Sequence, residues 1–72
     1  MLVKEVDCGD FAGALAYVHR VGELAEQANH HPDVHIRWGT VVLCLTTHSA
    51  GGLTEHDLAL ATRIDALVAS GP

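Results

Sequence analysis

The sequence is short of cysteine, of basic residues and of long apolar runs. Its 72 residues contain two cysteines, Cys8 and Cys44, and four lysines or arginines against nine aspartates and glutamates. Two cysteines without CxxC spacing argue against a disulfide scaffold and against a cysteine-based zinc site. With no recognisable signal segment and no membrane-length apolar run, the chain is expected in the reduced cytoplasm, without a membrane partner.

Charge and length narrow the function classes further. The formal net charge is −5, and the basic residues are scattered at Lys4, Arg20, Arg37 and Arg63. A direct nucleic-acid binder would show a basic patch, so nucleic acid is not an expected partner. The length predicts a single domain, residues 1–72, close to the lower limit for an independent core. Self-association is the expected source of extra stability.

Hydrophobic periodicity in the first half predicts a strand and a helix. Leu2 to Val6 favours a strand, and Asp10 is a suitable N-cap for an amphipathic helix over residues 11–29. Asn29 and Pro32 are expected to end this helix. The predicted apolar stripe contains Phe11, Leu15, Val18, Gly22 and Ala25, widened by Ala14, Val21 and Ala28.

The middle of the chain predicts a hairpin. Alternation over residues 34–38 indicates a half-buried strand, and the β-branched stretch 41–47 indicates a more buried one. Gly39-Thr40 between them suits a two-residue type II′ turn, in which glycine takes the first position.

The remaining residues predict a loop and a second helix. Residues 49–52 form the loop, and Thr54 and Asp57 have the spacing of a weak capping box. Leu53 and Leu58 are placed as a hydrophobic staple. The apolar face of the helix is predicted to contain Leu60, Ile64, Leu67 and Val68.

The predicted order is therefore strand, helix, strand, strand, helix. Helices that must cover one face of an antiparallel sheet give an α+β two-layer domain. The edge strands of such a sheet need protection, which pairing with another copy would supply.

The stretch EQANHHPDV, Glu26 to Val34, places His30 and His31 side by side at the predicted helix stop. Glu26 and His30 are four residues apart and would share a helix face, where the helix C-terminus favours positive charge. Such an imidazole can donate or accept a proton near neutral pH. For the doublet alone, the simpler interpretation is preferred: histidines tolerate helix C-termini.

His48 favours a functional interpretation of the doublet. It ends the predicted central strand beside Thr46 and Thr47, and strand ends that border loops commonly carry functional groups. With the doublet, and with Trp38 on the neighbouring strand, it predicts a pocket for a flat heterocycle. Taken singly, Trp38 is more typical of a core residue and Asp57 of a helix cap.

Two other chemistries have less support. A metal site has enough candidate ligands, namely His30, His31, His35, His48, His56 and Asp57. However, adjacent histidines on a helix point about 100° apart and no HExxH motif is present. Nucleophilic catalysis is weaker still, because Ser49 lacks an elbow motif and neither cysteine has an identifiable histidine partner.

The pattern Glu26-x3-His30-His31-Pro32-x5-Trp38-x9-His48-x8-Asp57, with the segment TTHSAGGLTEHD, resembles the signature of the pterin-4a-carbinolamine dehydratases. The resemblance runs from Leu2 to about Val68. It implies a hydro-lyase that converts 4a-hydroxytetrahydropterin to quinonoid dihydropterin and water, in pterin cofactor recycling.

By position, the resemblance implies acid/base roles for His30, His31 and His48. Glu26 would support the histidine pair, and Asp57 would assist His48. The implied pterin-binding residues are Pro32, Trp38, Thr46 and Thr47. No metal or organic cofactor is implied, because the pterin is the substrate.

The chain departs from the family pattern in two places. It lacks the usual N-terminal helix, which is expected to weaken the pocket or change the oligomer, and Val34 stands where some members have tryptophan. Members form dimers and tetramers, so a homodimer or homotetramer is expected. Some act as dimerisation partners or assembly chaperones, which makes a non-catalytic module the alternative function. The retained acid/base set argues against it.

Overall fold

Five elements follow one another in the predicted order. The computed structural model describes residues 1–46, 52 and 54–69. Its elements are β1 (Leu2–Asp7), α1 (Phe11–Ala28), β2 (Asp33–Arg37), β3 (Thr40–Leu45) and α2 (Glu55–Ala69). The predicted α+β two-layer class is confirmed. The predictions for Thr47, His48, Leu53 and most of the loop lie outside the described residues.

The sheet is antiparallel, with strand order β1-β3-β2. Leu2 pairs with Leu45 in one ladder, and Asp33 with Cys44 in the other. Side chains alternate across β3, so Val41, Leu43 and Leu45 are buried beneath the helices. Within the described residues both outer strands pair with β3 alone, so the predicted pairing with another copy stays a prediction.

Both helices pack on one face of the sheet and close the core. The buried apolar residues are Ala14, Val21, Ala25, Val41, Leu43, Leu45, Leu60, Ala61 and Ile64. Polar contacts hold α2 in place at its rim: Arg63 donates to Gln27 Oε1 at 2.8 Å, and Lys4 lies 2.7 Å from Asp65. Neither described helix combines the length and hydropathy needed to cross a membrane.

Only part of the predicted apolar stripe of α1 faces the core, where Val21 and Ala25 are buried as predicted. Ala14, the residue after Gly13, is fully buried, whereas Phe11 and Leu15 remain about half exposed. A Cβ at Gly13 would clash with the carbonyl oxygen of Cys8. Glycine is therefore required at position 13, where the start of the helix passes close to the backbone of Cys8.

The β2–β3 turn is displaced by one residue from the prediction. Arg37 pairs with Thr40, so the loop residues are Trp38 and Gly39. Trp38 takes the positive φ of 52°, and Gly39 is buried where a Cβ would lie 2.9 Å from the Asp10 nitrogen. Close packing, rather than a left-handed backbone, is therefore what requires glycine here.

Candidate active site

Four element ends meet at one end of the sheet. Asp33 at the start of β2 is paired with Cys44 near the end of β3. Two residues beyond this pair on each strand are His31 and Thr46, so both lie at the same end of the sheet. The C-terminus of α1 and the N-terminus of α2 also reach this region, because His30, just after α1, contacts Asp57 in the first turn of α2.

The end of α1 sets the direction of the histidine doublet. Asn29 adopts the left-handed conformation with φ 50° and ψ 43°. Its N–H donates to Glu26 O at 3.2 Å, and the His30 N–H donates to Ala25 O at 3.0 Å. This is the Schellman arrangement, in which asparagine tolerates the left-handed position. Asn29 is thus confirmed as the stop, and His30 lies beyond the helix instead of in its last turn.

The chain reversal changes the partner of Glu26. The sequence predicts that Glu26 and His30 share a helix face, and this is wrong because the helix has ended before His30. His31 Nε2 instead lies 2.9 Å from Glu26 Oε2. The side chains of His31 and Glu26 are 56% and 78% exposed, so this pair is open to water.

His30 forms a second and different carboxylate pair. Its Nε2 lies 2.5 Å from Asp57 Oδ1, although the two residues are 27 positions apart. The Asp57 side chain is 0% exposed and that of His30 is 16% exposed. The other Asp57 oxygen accepts the Thr54 N–H at 2.9 Å, so the predicted cap contact is present. Asp57 therefore connects the start of α2 to the histidine doublet.

The donor and acceptor roles in this contact depend on the His30 tautomer, and an ionised Asp57 favours one of the two. An ionised carboxylate only accepts hydrogen bonds, so Nε2 of His30 carries a hydrogen and donates it. The Nδ1 atom is then the ring nitrogen left for other partners. Asp57 was predicted to assist His48, which lies outside the described residues; the structure pairs it with His30.

His56, which the sequence suggests only as a candidate metal ligand, is a neighbour of His30. It lies in the first turn of α2, directly before Asp57, and its side chain is exposed. Its ring centroid is 6.1 Å from that of His30, with 40° between the planes. The clue available in the sequence was its position next to the predicted cap residue.

Trp38 lies far from the histidine–carboxylate pairs. It lies in the turn at the opposite end of β2 from the histidines, and it is 72% exposed. The five residues of β2 separate it from the doublet by about 17 Å at a rise of about 3.3 Å per residue. A pocket formed by Trp38 together with the histidine doublet of the same chain is therefore not supported. Half-buried Thr46 and Pro32 do lie at the histidine end.

Within residues 1–46, 52 and 54–69, no three histidine, cysteine, aspartate or glutamate side chains are grouped as a metal ion would require. Cysteine chemistry is also disfavoured at one of the two thiols. Burial, followed by the Asp7 charge, raises the pKa of the Cys8 thiol, which keeps it protonated and a poor nucleophile.

The fold and the site thus define a small α+β protein with paired histidine–carboxylate groups suited to acid/base chemistry. The family model for pterin 4 alpha carbinolamine dehydratase matches residues 1–67. Since this covers most of the chain, the protein belongs to the pterin-4a-carbinolamine dehydratase family, as the sequence resemblance had indicated.

Curated relatives agree with this assignment. A Nocardia farcinica protein is 55% identical over 64 residues, which cover 89% of this chain and 67% of the relative. A Roseiflexus protein is 57% identical over 65 residues, covering 90% of this chain and 70% of the relative. Both are provisionally named pterin-4-alpha-carbinolamine dehydratase.

Solved structures share the fold. A transcriptional coactivator/pterin dehydratase from Brucella melitensis matches with a TM-score of 0.83 and 30% identity, over 89% of this chain and 68% of that one. A pterin dehydratase-like protein identified as a RuBisCO assembly factor in the alpha-carboxysome matches with a TM-score of 0.75 and 28% identity, over 92% and 76%.

Proposed function

We propose that this protein dehydrates 4a-hydroxytetrahydropterin to quinonoid dihydropterin, as a hydro-lyase in pterin recycling. The bond between C4a and its hydroxyl oxygen breaks, and the oxygen takes a proton and leaves as water. A ring nitrogen loses a proton to a base. The observation that carries the proposal is the pair of adjacent imidazoles, each bonded to its own carboxylate in a different environment.

Different environments allow different roles for similar groups. His30 is nearly enclosed and is oriented by a buried carboxylate, so its Nδ1 edge has a defined direction. His31 is open to water and can exchange protons readily. His48, by its match to the family pattern, is the third acid/base candidate. Glu26 and Asp57 act by orienting His31 and His30.

The pterin ring would lie at the histidine end of the sheet. Pro32 and Thr46 both border this end, and Thr47 and His48 follow Thr46 along the chain. Backbone groups of the Thr46–His48 segment would bind the polar edge of the pterin. Trp38 has no part in this pocket within one chain, and a role for it would need a neighbouring copy.

The test is dehydratase activity on the carbinolamine generated by a pterin-dependent aromatic amino acid hydroxylase. His31→Ala and His48→Ala should each lower kcat by about 10²–10⁴-fold, the usual contribution of an acid or base. His31 is largely exposed, so its loss should leave the fold intact. Unchanged rates in both variants would exclude acid/base roles for His31 and His48 and contradict the proposed mechanism.

The chain offers a matched control for these substitutions. His19 and Glu23 form another exposed histidine–carboxylate contact, at 3.6 Å on the surface of α1. His19→Ala removes an imidazole of the same exposure class from outside the site. It should leave kcat and KM unchanged, so any general effect of histidine loss would be detected.

A second candidate function is a non-catalytic dimerisation or assembly module. It is favoured by the similarity to the RuBisCO assembly factor and by the exposed apolar side chains of Phe11 and Leu15 on α1. A folded protein without dehydratase activity would support it. Phe11→Ser with Leu15→Ser should then abolish partner binding, whereas the same double variant should retain dehydratase activity if the protein is an enzyme.

We also propose a homodimer or homotetramer in the cytoplasm. The outer strands β1 and β2 each have one edge without a partner among the described residues, and such edges favour pairing between chains. Cys8 and Cys44 are both free thiols, which suits a reducing compartment. A monomeric mass by light scattering at micromolar concentration would contradict the oligomer.

A further inference from the structure

His56 is the histidine of the site that has no assigned role. Its ring stands next to His30, at 6.1 Å between centroids, and its side chain is exposed on the first turn of α2. We infer that His56 relays protons between His30 and bulk water. This inference rests on the proposed dehydratase function. His56 acts through His30 and exchanges no proton with the pterin itself.

The reaction creates the need for a relay. In each turnover one group gives a proton to the departing hydroxyl, and another group takes a proton from the pterin ring. Substrate and products balance without any net gain or loss of protons. After the reaction, however, the acid has lost its proton and the base holds an extra one. The acid must regain a proton and the base must release one before the next turnover.

His30 has limited access to water by itself. Its side chain is 16% exposed, and its Nε2 edge is occupied by the fully buried Asp57. Proton exchange must therefore use the Nδ1 side of the ring. When a pterin covers this end of the sheet, the remaining exposure of His30 decreases further.

His56 has the exposure and position that His30 lacks. The two rings are separated by 6.1 Å, and one water molecule between them would complete a hydrogen-bonded path. Histidine is suited to this work because it titrates between pH 5 and 8.

The carboxylates near His56 in the described residues form no ion pair with its ring. At the end of α1 Glu26 is bonded to His31, and in α2 Asp57 is bonded to His30. Glu55 lies beside His56 in sequence, on an exposed position. In the part of the chain that the structure describes, no carboxylate lies within ion-pair distance of the His56 ring. It can therefore take up and release protons without breaking a salt bridge.

Chemical rescue provides the test. His56→Ala and His56→Gln, assayed in weak buffer without imidazole, should lower kcat by about tenfold, less than the loss of a direct acid or base. KM should not change, because a relay acts on the protonation of His30 and not on pterin binding. Added imidazole should restore most of kcat in both variants and should have no effect on the wild-type protein. His19→Ala should show neither defect nor rescue.

Contrary outcomes are distinguishable. If the wild-type protein dehydrates the substrate but the His56 variants keep full kcat, or are not rescued by imidazole, the relay is wrong and the proposed function stands. If the wild-type protein is inactive, the proposed function fails. The relay is then judged by nitrogen-15 NMR of the His30 ring, whose proton exchange with water should be slower in His56→Gln; equal rates would overturn it.

Discussion

His30 and His31 are neighbours in the chain, and each is hydrogen-bonded to a carboxylate, but the two pairs differ in burial and in the parts of the chain that they join. The His31–Glu26 pair is local, exposed and formed across the end of one helix. The His30–Asp57 pair joins the segment that follows α1 to the first turn of α2, and its carboxylate is completely buried. A charge removed from water must keep its partner, whereas an exposed charge can lose one at little cost.

Contact between two opposite charges does not by itself show that the pair stabilises the fold. Asp57 satisfies the N–H of Thr54 and the ring of His30 at once, so both its oxygens have partners. Glu26 has water as an alternative partner. We therefore expect the buried pair to stabilise the fold and orient the site, and the exposed pair to affect mainly the chemistry.

The largest expected effect is on stability. Asp57→Ala should lower the free energy of unfolding by about 3 kcal/mol, because it leaves His30 and the first turn of α2 without their acceptor. Glu26→Ala should change it by less than about 0.5 kcal/mol, because the pair is exposed. Urea unfolding followed by circular dichroism measures both.

The milder Asp57→Asn variant keeps the comparison measurable if Asp57→Ala does not fold. It retains an oxygen for the Thr54 N–H, but it replaces the charged acceptor opposite His30 by an NH2 group, which can only donate. Equal losses of unfolding free energy at positions 57 and 26 would contradict the distinction between the pairs.

A smaller effect is expected at Tyr17, where burial occurs without a partner. Its hydroxyl is buried and has no hydrogen-bond partner among the described residues. Tyr17→Phe should therefore raise the free energy of unfolding by about 1 kcal/mol. A decrease in stability would show that burial alone does not predict the outcome at this position.

The pH dependence of Tyr17 tests the same point. Burial, followed by the nearby Cys8 and Asp65, raises the pKa of the Tyr17 hydroxyl above its usual 10.0. A raised pKa means that its neutral form is favoured in the fold. This contribution is complete below the unfolded pKa and is lost as pH rises through the folded value. Tyr17 is the single tyrosine, so absorbance titration reports it directly, and Tyr17→Phe should show a smaller alkaline loss of stability.

The smallest expected effect is the salt dependence of the exposed pair. A double-mutant cycle on His31 and Glu26, below the pKa of free imidazole, should give about 0.5 kcal/mol at low salt. The coupling should nearly vanish in about 1 M NaCl, where the Debye length is roughly 3 Å. The His30–Asp57 coupling should persist there, since salt does not reach the buried carboxylate. Equal salt sensitivity would contradict the difference in burial.

Much of the fold was accessible from the sequence because periodicity depends on local geometry. The element order and the buried faces of β3 and α2 follow from alternation and helical spacing. The apolar stripe of α1 follows only in part: Ala14, Val21 and Ala25 are buried as predicted, whereas Phe11 and Leu15 are about half exposed, because the orientation of α1 depends on its packing. The turn at Trp38 was missed by one residue for a similar reason: Gly39 is required by close packing against Asp10.

The sequence alone determined the element order, the stop at Asn29 and, through fixed spacings, the family and most of the candidate acid/base set. The tertiary structure decided which carboxylate serves which histidine. Asn29 reverses the chain, so that Glu26 meets His31, and the packing of α2 on α1 carries Asp57 to His30 from 27 residues away. Such pairings depend on backbone direction and long-range packing, and neither is contained in the spacing of residue types.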